Sequence, residues 1–475
     1  MIDKQDIQGF IKQGYGYLNY GRYLLVKIVD AAGFKQWLET HIDDISTAAQ
    51  SDLKQTFNIA FTRSGLQRLS LPEDSLQSFA REWYENMVTP ERSYRLGDTQ
   101  HNAPENWQWG APHQTTIDAL LFGFFETSKG CKAWQQTIES FDFLEVIEVI
   151  EPRNLPQFKE HFGFRDGISQ PTVKGMHKEK EKFNALATGE FILGHKNEYD
   201  EVAPCPVVNT NLDKHLQLKT NRQGDSLLGF NGSYLVFRQL EQDVHAFWDY
   251  VDQQSKDEYN KSHPQQRLLF ASKMVGRWPN GKMIKPGATA QPSTGISNGP
   301  ENQFTYENDT AGFGCPIGSH IRRSNPRATL DGQKKAKDAI KTANRHRILR
   351  RGRPYGEPIV SSMQADEILE KGNDDAQRGL LFLCLNADIA RQFEFVQQTW
   401  LNNSKFRSLY TEVDPIAGIK PDAEHLLGNH FSIQGKPFRQ RLRQVPSFIT
   451  MKGGAYFFLP SIRALKFLST LEDEA

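Results

Sequence analysis

One histidine stands where glycines and arginines come together. His320 lies between a glycine-rich turn at residues 312–318 and three arginines, Arg322, Arg323 and Arg327. A neutral imidazole can bind a metal through one ring nitrogen while a hydrogen bond holds the other. No second His or Cys follows at the spacing of a zinc site, whereas haem brings its own ring nitrogens and needs few protein ligands. We therefore expect His320 to be an axial haem ligand and the arginines to hold the cofactor's carboxylates.

An aspartate on a tight turn is the second candidate. Asp166 stands in the sequence Gly-Phe-Arg-Asp-Gly at residues 163–167. Aspartate is common in such turns because its carboxylate accepts hydrogen bonds from the neighbouring backbone. A carboxylate on a rigid turn can also act as an acid/base group that faces a cleft between domains. The residues alone leave both interpretations open.

An arginine in a basic segment is the third candidate. Arg350 lies in residues 347–356, which close a basic stretch that begins near Lys334. A surface that binds polyanions is the competing interpretation, but aromatic residues are not interleaved as base stacking would require. Ile348 and Leu349 precede Arg350. These apolar neighbours favour a buried stem with the guanidinium in a pocket.

The fold must position these three candidate residues, and the pattern of apolar residues in the first half of the chain predicts its secondary structure. Apolar runs and helical stripes alternate in the order strand, helix, strand, strand, helix, strand, which is the split arrangement of ferredoxin-like domains. The predicted strands cover residues 22–30, 57–61, 117–125 and 145–150, and the helices cover residues 34–42 and 131–141.

The second half has a related pattern with a long insertion. Its predicted elements are a strand at 234–240, a helix at 244–251, a strand at 380–385, a helix at 389–400 and a strand at 455–459. A connection of roughly 120 residues precedes the strand at 380, and connections this long often carry function. His320 lies inside it. We expect an α+β protein with two ferredoxin-like domains, residues 1–225 and 226–475, antiparallel sheets with helices packed on them, and a haem pocket in the second.

Composition excludes several classes of protein. The 475 residues are too many for one ordinary core. Basic and acidic residues balance at 57 each, which argues against binding nucleic acid or an anionic membrane through net charge. No apolar run approaches the roughly 18 residues of a membrane span. The four cysteines show no CxxC spacing and the N-terminal stretch has no signal-peptide core, so we expect a cytoplasmic protein.

Together the three motifs resemble those of the dye-decolorizing peroxidases. Residues 163–167 match the family's GxxDG motif, and the turn and histidine of residues 315–327 look like its proximal haem-ligand motif. Arg350, in the setting Ile-Leu-Arg-x-x-x-Pro-Tyr-Gly, matches its distal arginine. Flanking stretches fit as well, so the resemblance spans most of the chain.

This resemblance implies an enzyme with one haem b per chain. It would reduce hydrogen peroxide and oxidise bulky aromatic donors, such as dyes and phenolics, by one-electron steps. His320 is implied as the proximal iron ligand, Asp166 as the distal acid/base and Arg350 as the cation that stabilises O–O cleavage. Some branches have asparagine two residues after the distal arginine, where this chain has Gly352. We therefore expect Asp166 and Arg350 to act alone at the distal face.

Other assignments stay open at this stage. An acidic partner of the proximal imidazole is implied, and Glu412 and Asp414 are the two candidates. Trp400, on the apolar stripe of a predicted helix, could relay electrons or belong to the core. The natural donor and the oligomeric state, a homo-oligomer included, are not predicted. Two alternative functions remain: binding haem to release its iron, and binding a polyanion through residues 334–353.

Overall fold

The structure is a computed structural model that describes residues 2–176, 184–293, 302–330, 335–420 and 429–472. One nine-stranded sheet runs through these residues. Its strands, in chain order, are β1 Tyr20–Ile28, β2 Gln55–Phe61, β3 Ala119–Phe125, β4 Leu144–Ile150, β5 Ser233–Gln242, β6 Leu349–Arg350, β7 Arg353–Tyr355, β8 Gly379–Asn386 and β9 Ile449–Leu459.

Helices and small ribbons surround this sheet. The described α-helices are Gly9–Lys12, Ala31–His41, Arg63–Arg68, Glu73–Gln77, Arg81–Glu85, Pro90–Leu96, Ser128–Glu139, Val244–Ser255, Pro264–Val275, His320–Ser324, Ala336–Asn344, Ala365–Lys371 and Ile462–Thr470, with π-helical turns at Ala390–Glu394 and Val396–Leu401. Two-stranded ribbons pair Thr172–Val173 with Ala185–Leu186, Lys219–Thr220 with Ser226–Leu227, and His430–Ile433 with Gln440–Arg443.

The first half has the predicted ferredoxin-like order. Its strands lie side by side as β2-β3-β1-β4, and each neighbouring pair is antiparallel. Successive side chains of a strand point to opposite faces, so Leu24 and Val26 enter one core while Tyr23 and Leu25 enter the other. This burial on both faces explains the nearly continuous apolar run of β1.

The second half repeats the arrangement, and the α+β, ferredoxin-like fold class is confirmed. Its strands lie in the order β6-β8-β5-β9, and β7 also pairs with β8. Sequence patterning missed β6 and β7 because they are short and rich in arginine. Pairing with β8 rather than apolar alternation defines them, and Arg350 of β6 lies opposite Cys384 of β8.

The two halves share one sheet. β9 pairs with β2 through Phe458 and Phe61, so the strands of both halves are continuous. The C-terminal helix Ile462–Thr470 packs on the helix Ala31–His41 of the first half. There the Lys35 ammonium donates to the Leu471 carbonyl at 2.8 Å. The division at residues 225 and 226 stays a prediction. None of the described helices combines the length and the apolar character that crossing a bilayer requires.

Candidate active site

One cavity collects the three residues that the sequence singled out. His320, Asp166 and Arg350 all line a cavity of about 290 Å³. They arrive from distant parts of the chain: the helix His320–Ser324, the turn that follows β4, and the strand β6. Much of the remaining wall is apolar, with side chains from both sheet and loops: Phe162, Phe164, Leu240, Phe382, Phe393, Val396 and Ile416.

The His320 ring is oriented by a buried carboxylate. Its Nδ1 lies 3.0 and 3.1 Å from the two carboxylate oxygens of Asp414. Because Nδ1–H donates to Asp414, the other nitrogen, Nε2, carries a lone pair. No hydrogen bond from the described residues uses Nε2, and the ring keeps 31% of its surface exposed. His320 can therefore offer Nε2 to a metal.

Electrostatics holds this pair in place. Burial alone would raise the pKa of Asp414, but His320 and the backbone N–H of Ala417 outweigh burial, and the pKa is lowered. Burial likewise acts to lower the pKa of His320, yet the charge of Asp414 and the hydrogen bond to it raise it above its ordinary value. An anionic partner of this kind makes an imidazole a more basic ligand.

Glu412, the other carboxylate that the sequence offered, binds elsewhere. Its Oε2 accepts the backbone N–H of Ser432 at 2.8 Å, and its Oε1 accepts the Ser432 hydroxyl. Asp414 is therefore the one of the two that contacts His320. Sequence alone could not separate two acidic residues that stand so close together.

Asp166 and Arg350 form an ion pair at the cavity wall. The Arg350 Nη1 donates to Asp166 Oδ1 at 3.0 Å, and the two side chains keep 30% and 29% of their surfaces exposed. Burial would raise the pKa of Asp166, but the Arg350 charge and the N–H of Gly167 lower it below its usual value. The carboxylate accepts a hydrogen bond from the turn and also faces the cavity, so its position is compatible with both sequence interpretations.

The turn that carries Asp166 requires glycine at two points. Gly163 and Gly167 have φ angles of +92° and +75°, in the left-handed region where residues with a Cβ are strained. The Asp166 N–H donates to the Phe158 carbonyl at 2.9 Å. This backbone bond fixes the direction in which the carboxylate leaves the turn.

Arg322 and Arg323 have a different role from the one expected. Both are 0% exposed, and neither lines the cavity. Arg322 donates to the carbonyls of Cys315 and Asp309 at 2.6 and 2.9 Å. Arg323 donates to the Trp400 carbonyl at 2.7 Å. These guanidiniums satisfy backbone carbonyls around the His320 turn, so they cannot also reach a cofactor carboxylate.

Arg327 does line the cavity, together with two arginines that the sequence did not single out for this role. Arg277 and Arg327 reach the Ser169 hydroxyl at 3.2 and 3.4 Å, and Arg347 donates to the Ser169 carbonyl at 2.7 Å. Arg277, Arg327 and Arg347 are called the arginine cluster below. Within the described ranges, no carboxylate lies within ion-pair distance of any of them.

Burial makes the arginine cluster receptive to an anion. It lowers the pKa of Arg347 to about 9, aided by the charges of Arg327 and Arg350, and it lowers the pKa of Arg327 to about 10. Buried like charges without counter-ions are costly. Arg347 stands in the basic segment that the sequence marked, whereas nothing in the local sequence marks Arg277.

The donor set fits haem. His320 offers a free Nε2 to the iron, and the arginine cluster can donate hydrogen bonds to two propionates. Apolar side chains line much of the remaining wall. In the part of the chain that the structure describes, no group of three His, Cys, Asp or Glu side chains could hold a bare metal ion. Haem needs no such group because its porphyrin supplies most of the ligands.

Two further residues clarify the site. Trp400 is 3% exposed and its ring packs edge-on against His346 and Phe395, which favours the core interpretation over an electron relay. A Cβ on Gly352 would lie 2.4 Å from the Leu381 carbonyl oxygen. No asparagine could occupy position 352 without moving the backbone.

Known proteins of similar sequence and structure are dye-decolorizing peroxidases. No family model matches this chain. The dye-decolorizing peroxidase msp1 of Mycetinis scorodonius is 26% identical over 486 aligned positions, 98% of this chain and 87% of that protein. A solved ancestral D-type dye-decolorizing peroxidase superimposes with a TM-score of 0.79 at 26% identity and covers 98% of both chains. A dye-decolorizing peroxidase in complex with 2,6-dimethoxyphenol gives 0.77 at 25% identity, over 99% of this chain and 100% of that one.

A shorter match concerns another activity. The deferrochelatase of Yersinia pestis is 27% identical over 227 residues, which are 48% of this chain and 39% of that protein.

Two ferredoxin-like halves on one sheet, with a histidine ready for axial ligation in a shared cavity, define a class of haem proteins. The comparisons over nearly the whole chain narrow that class. Over nearly its whole length the chain is similar to proteins named dye-decolorizing peroxidases, which are oxidoreductases that act on peroxide.

Proposed function

We propose that this protein is a haem peroxidase with one haem b per chain. It reduces hydrogen peroxide and oxidises bulky aromatic donors, dyes and phenolics, in one-electron steps. The observation that supports this most is that the His320–Asp414 and Asp166–Arg350 pairs meet at one cavity. The phenol complex of a relative supports aromatic donors.

Haem would be held at its iron by a histidine and at its propionates by arginines. His320 Nε2 would ligate the haem iron, and the arginine cluster would bind the propionates. When bound, haem supplies the iron at which peroxide is reduced and through which a donor loses its electron. Asp414 accepts a hydrogen bond from the Nδ1–H of His320, which fixes the ring and raises its basicity.

Asp166 moves the proton. Its oxygen takes a proton from one oxygen of hydrogen peroxide and returns it to the departing oxygen, so one positioned group serves as base and then as acid. Its lowered pKa keeps it ionised, hence ready as a base, into the acid range. Arg350 holds a fixed cation beside the oxygen that gains negative charge as the O–O bond breaks.

Iron release from haem is the second candidate. The partial similarity to a deferrochelatase favours it, and the same cavity would hold the haem. The distal ion pair favours peroxidase chemistry instead, since binding haem alone requires neither group.

A polyanion-binding module has less support. Lys334 lies outside the described residues. The neighbouring arginines of the basic segment point inward, where Arg351 and Arg353 donate to the carbonyls of Phe10 and Leu18 at 3.1 and 2.8 Å. The cytoplasmic location stays a prediction, and the oligomeric state, a homo-oligomer included, stays open.

One assay separates the two haem functions. The haem-loaded protein is given hydrogen peroxide with 2,6-dimethoxyphenol, and oxidised phenol and chelatable iron are measured in the same sample. We expect many phenol molecules oxidised per chain while the haem iron is retained. Stoichiometric iron release without phenol turnover would overturn the peroxidase proposal in favour of haem handling.

A further inference from the structure

The turn that carries Asp166 is the end of a hairpin fastened by one carboxylate. The backbone N–H of Glu160 donates to the Phe164 carbonyl at 2.9 Å, and the Gly163 N–H returns to the Glu160 carbonyl at 2.8 Å. The Glu160 side chain closes the same loop, since its two oxygens accept the N–H groups of Phe162 and Phe164, each at 2.9 Å. Glu160 therefore positions the segment that leads to Asp166.

Gln242, the last residue of β5, binds the Glu160 carboxylate with one end of its side-chain amide and leaves the other end without a partner among the described residues. Its Nε2 donates to Glu160 Oε2 at 2.7 Å. Its own oxygen, Oε1, is buried and has no partner among the described residues. Both side chains line the cavity. A buried amide oxygen without a donor is destabilising, whereas a half-turn of the amide would exchange its donor and acceptor ends at no cost in volume.

We propose that Glu160 and Gln242 form a proton switch that adjusts the basicity of Asp166. The proposal rests on the proposed function, in which Asp166 is the base. With Glu160 ionised, the Gln242 amide donates to it, as the structure has it. With Glu160 protonated, the amide turns, and the new O–H donates to the Gln242 oxygen that is otherwise unpaired. Glu160 is thus a positioning residue that touches no reacting atom.

The surroundings of Glu160 bring its pKa into the neutral range. Burial raises the pKa of Glu160 to about 7, and the nearby charge of Asp166 adds to the rise. The hydrogen bonds to Gln242 and to the hairpin act in the opposite direction. The other titratable groups on the hairpin itself are Lys159, His161, Arg165 and Asp166. Arg238 on β5, which is paired with Asp98, lines the same cavity, and the uncharged rings of Phe247 and Phe448 pack against Phe162.

The effect on Asp166 follows from the sign of the charges. Ionised Glu160 places a like charge near Asp166 and so raises its proton affinity, which makes Asp166 a stronger base above about pH 7. Below that pH, Glu160 is neutral, so it no longer repels the Asp166 carboxylate. Asp166 then stays ionised in acid, where its lowered pKa already favours the carboxylate.

Infrared difference spectroscopy of the haem-loaded full chain tests the switch directly. Spectra are recorded as a function of pH for the wild type and for Glu160→Gln, a neutral isostere. We expect a carboxylic-acid band that disappears as the pH rises through about 7 and is absent from the variant. Isotope-labelled glutamate assigns the band in the wild type even if the variant folds poorly. Glu241→Gln, a neighbour on β5 that pairs with Lys452, is the matched control and should keep the band.

The rate of the peroxide reaction supplies the second readout. Glu160→Gln should match the wild type below pH 6 and be about threefold slower above pH 8, if the like charge is worth about one pKa unit and half of it appears in the rate. No glutamate band titrating between pH 5 and 9 would overturn the switch, whether or not the protein is a peroxidase. A titrating band in a protein that does not react with peroxide would instead overturn the proposed function.

Discussion

Asp414 and Asp166 are carboxylates of the same cavity region with different surroundings. Asp414 is fully buried, and His320 and the N–H groups of Ile416 and Ala417 donate to it, so it is held as a fixed anion. Asp166 keeps part of its surface open and has Arg350 as its side-chain partner. Of these two carboxylates, Asp166 is therefore the one that can exchange a proton with a molecule that enters the cavity.

Replacing Asp166 by asparagine should slow the reaction with peroxide by roughly 10²- to 10⁴-fold, the usual contribution of a positioned base. The pKa of Asp166 is lowered, and the ionised form is the active one. Apart from the roughly threefold change through neutral pH expected from Glu160, the wild-type rate should therefore persist through mildly acid pH and be lost as the pH drops through that lowered pKa. Stopped-flow rates as a function of pH check both points. Asp257→Asn, at an exposed pair with His263, is the control, and an unchanged rate in Asp166→Asn would refute the role.

Two arginines make a matched pair for the cofactor site. Arg347→Gln should weaken haem affinity by roughly 10- to 100-fold, because one charge-assisted bond is lost. Arg322→Gln should leave the affinity of the folded protein unchanged but lower the free energy of unfolding by about 1–3 kcal/mol, because buried carbonyls lose their donor. Haem titration and chemical denaturation measure the two effects. The opposite pattern would return Arg322 to the propionate role that the sequence suggested.

At the scale of secondary structure, the sequence predicted those elements whose own side chains define them. β1, β5 and β8 are apolar enough to be recognised alone. β6 is not, because its two residues are held by pairing with β8. The sequence therefore identified Arg350 by its motif but did not predict the strand that carries it. Of the arginine cluster, the sequence indicated Arg327 but not Arg277 or Arg347, since the three side chains meet only after the insertion folds back on the cavity.

Gly352→Ala tests how tightly the backbone between β6 and β7 is packed. The added Cβ would meet the Leu381 carbonyl oxygen at 2.4 Å, so the backbone must move, and we expect a loss of about 1–3 kcal/mol in the free energy of unfolding. Gly16→Ala is the control, because no atom lies within 4 Å of its added Cβ. Urea denaturation of both variants measures the difference. Equal stability of the two would show that this backbone can shift without cost.

At the scale of the whole molecule, the halves are joined in two ways. β9 continues the sheet into β2, and the C-terminal helix packs on the first half. The cavity also draws its walls from both, since the Asp166 turn precedes β5 while His320 and Arg350 follow it. The repeated pattern in the sequence predicted two ferredoxin-like units, but it could not show this joining, because the contacts connect residues far apart in the chain.

Loading with haem should therefore stabilise the molecule as one unit. A ligand at 100 times its dissociation constant adds about 2.7 kcal/mol to the free energy of unfolding, and both halves should share the gain. Calorimetry of the haem-free and haem-loaded protein should show one transition that moves to higher temperature. Two transitions, of which haem moves only one, would contradict the coupling of the halves.

The central claim is that His320 binds the haem iron, and the absorption spectrum of the reconstituted protein tests it most directly. The wild type and His263→Ala, which removes an exposed histidine, should show the same Soret band. His320→Ala should lose that band or shift it, and added imidazole should restore it by occupying the vacated ligand position. A His320→Ala spectrum identical to that of the wild type would contradict the claim and require another ligand.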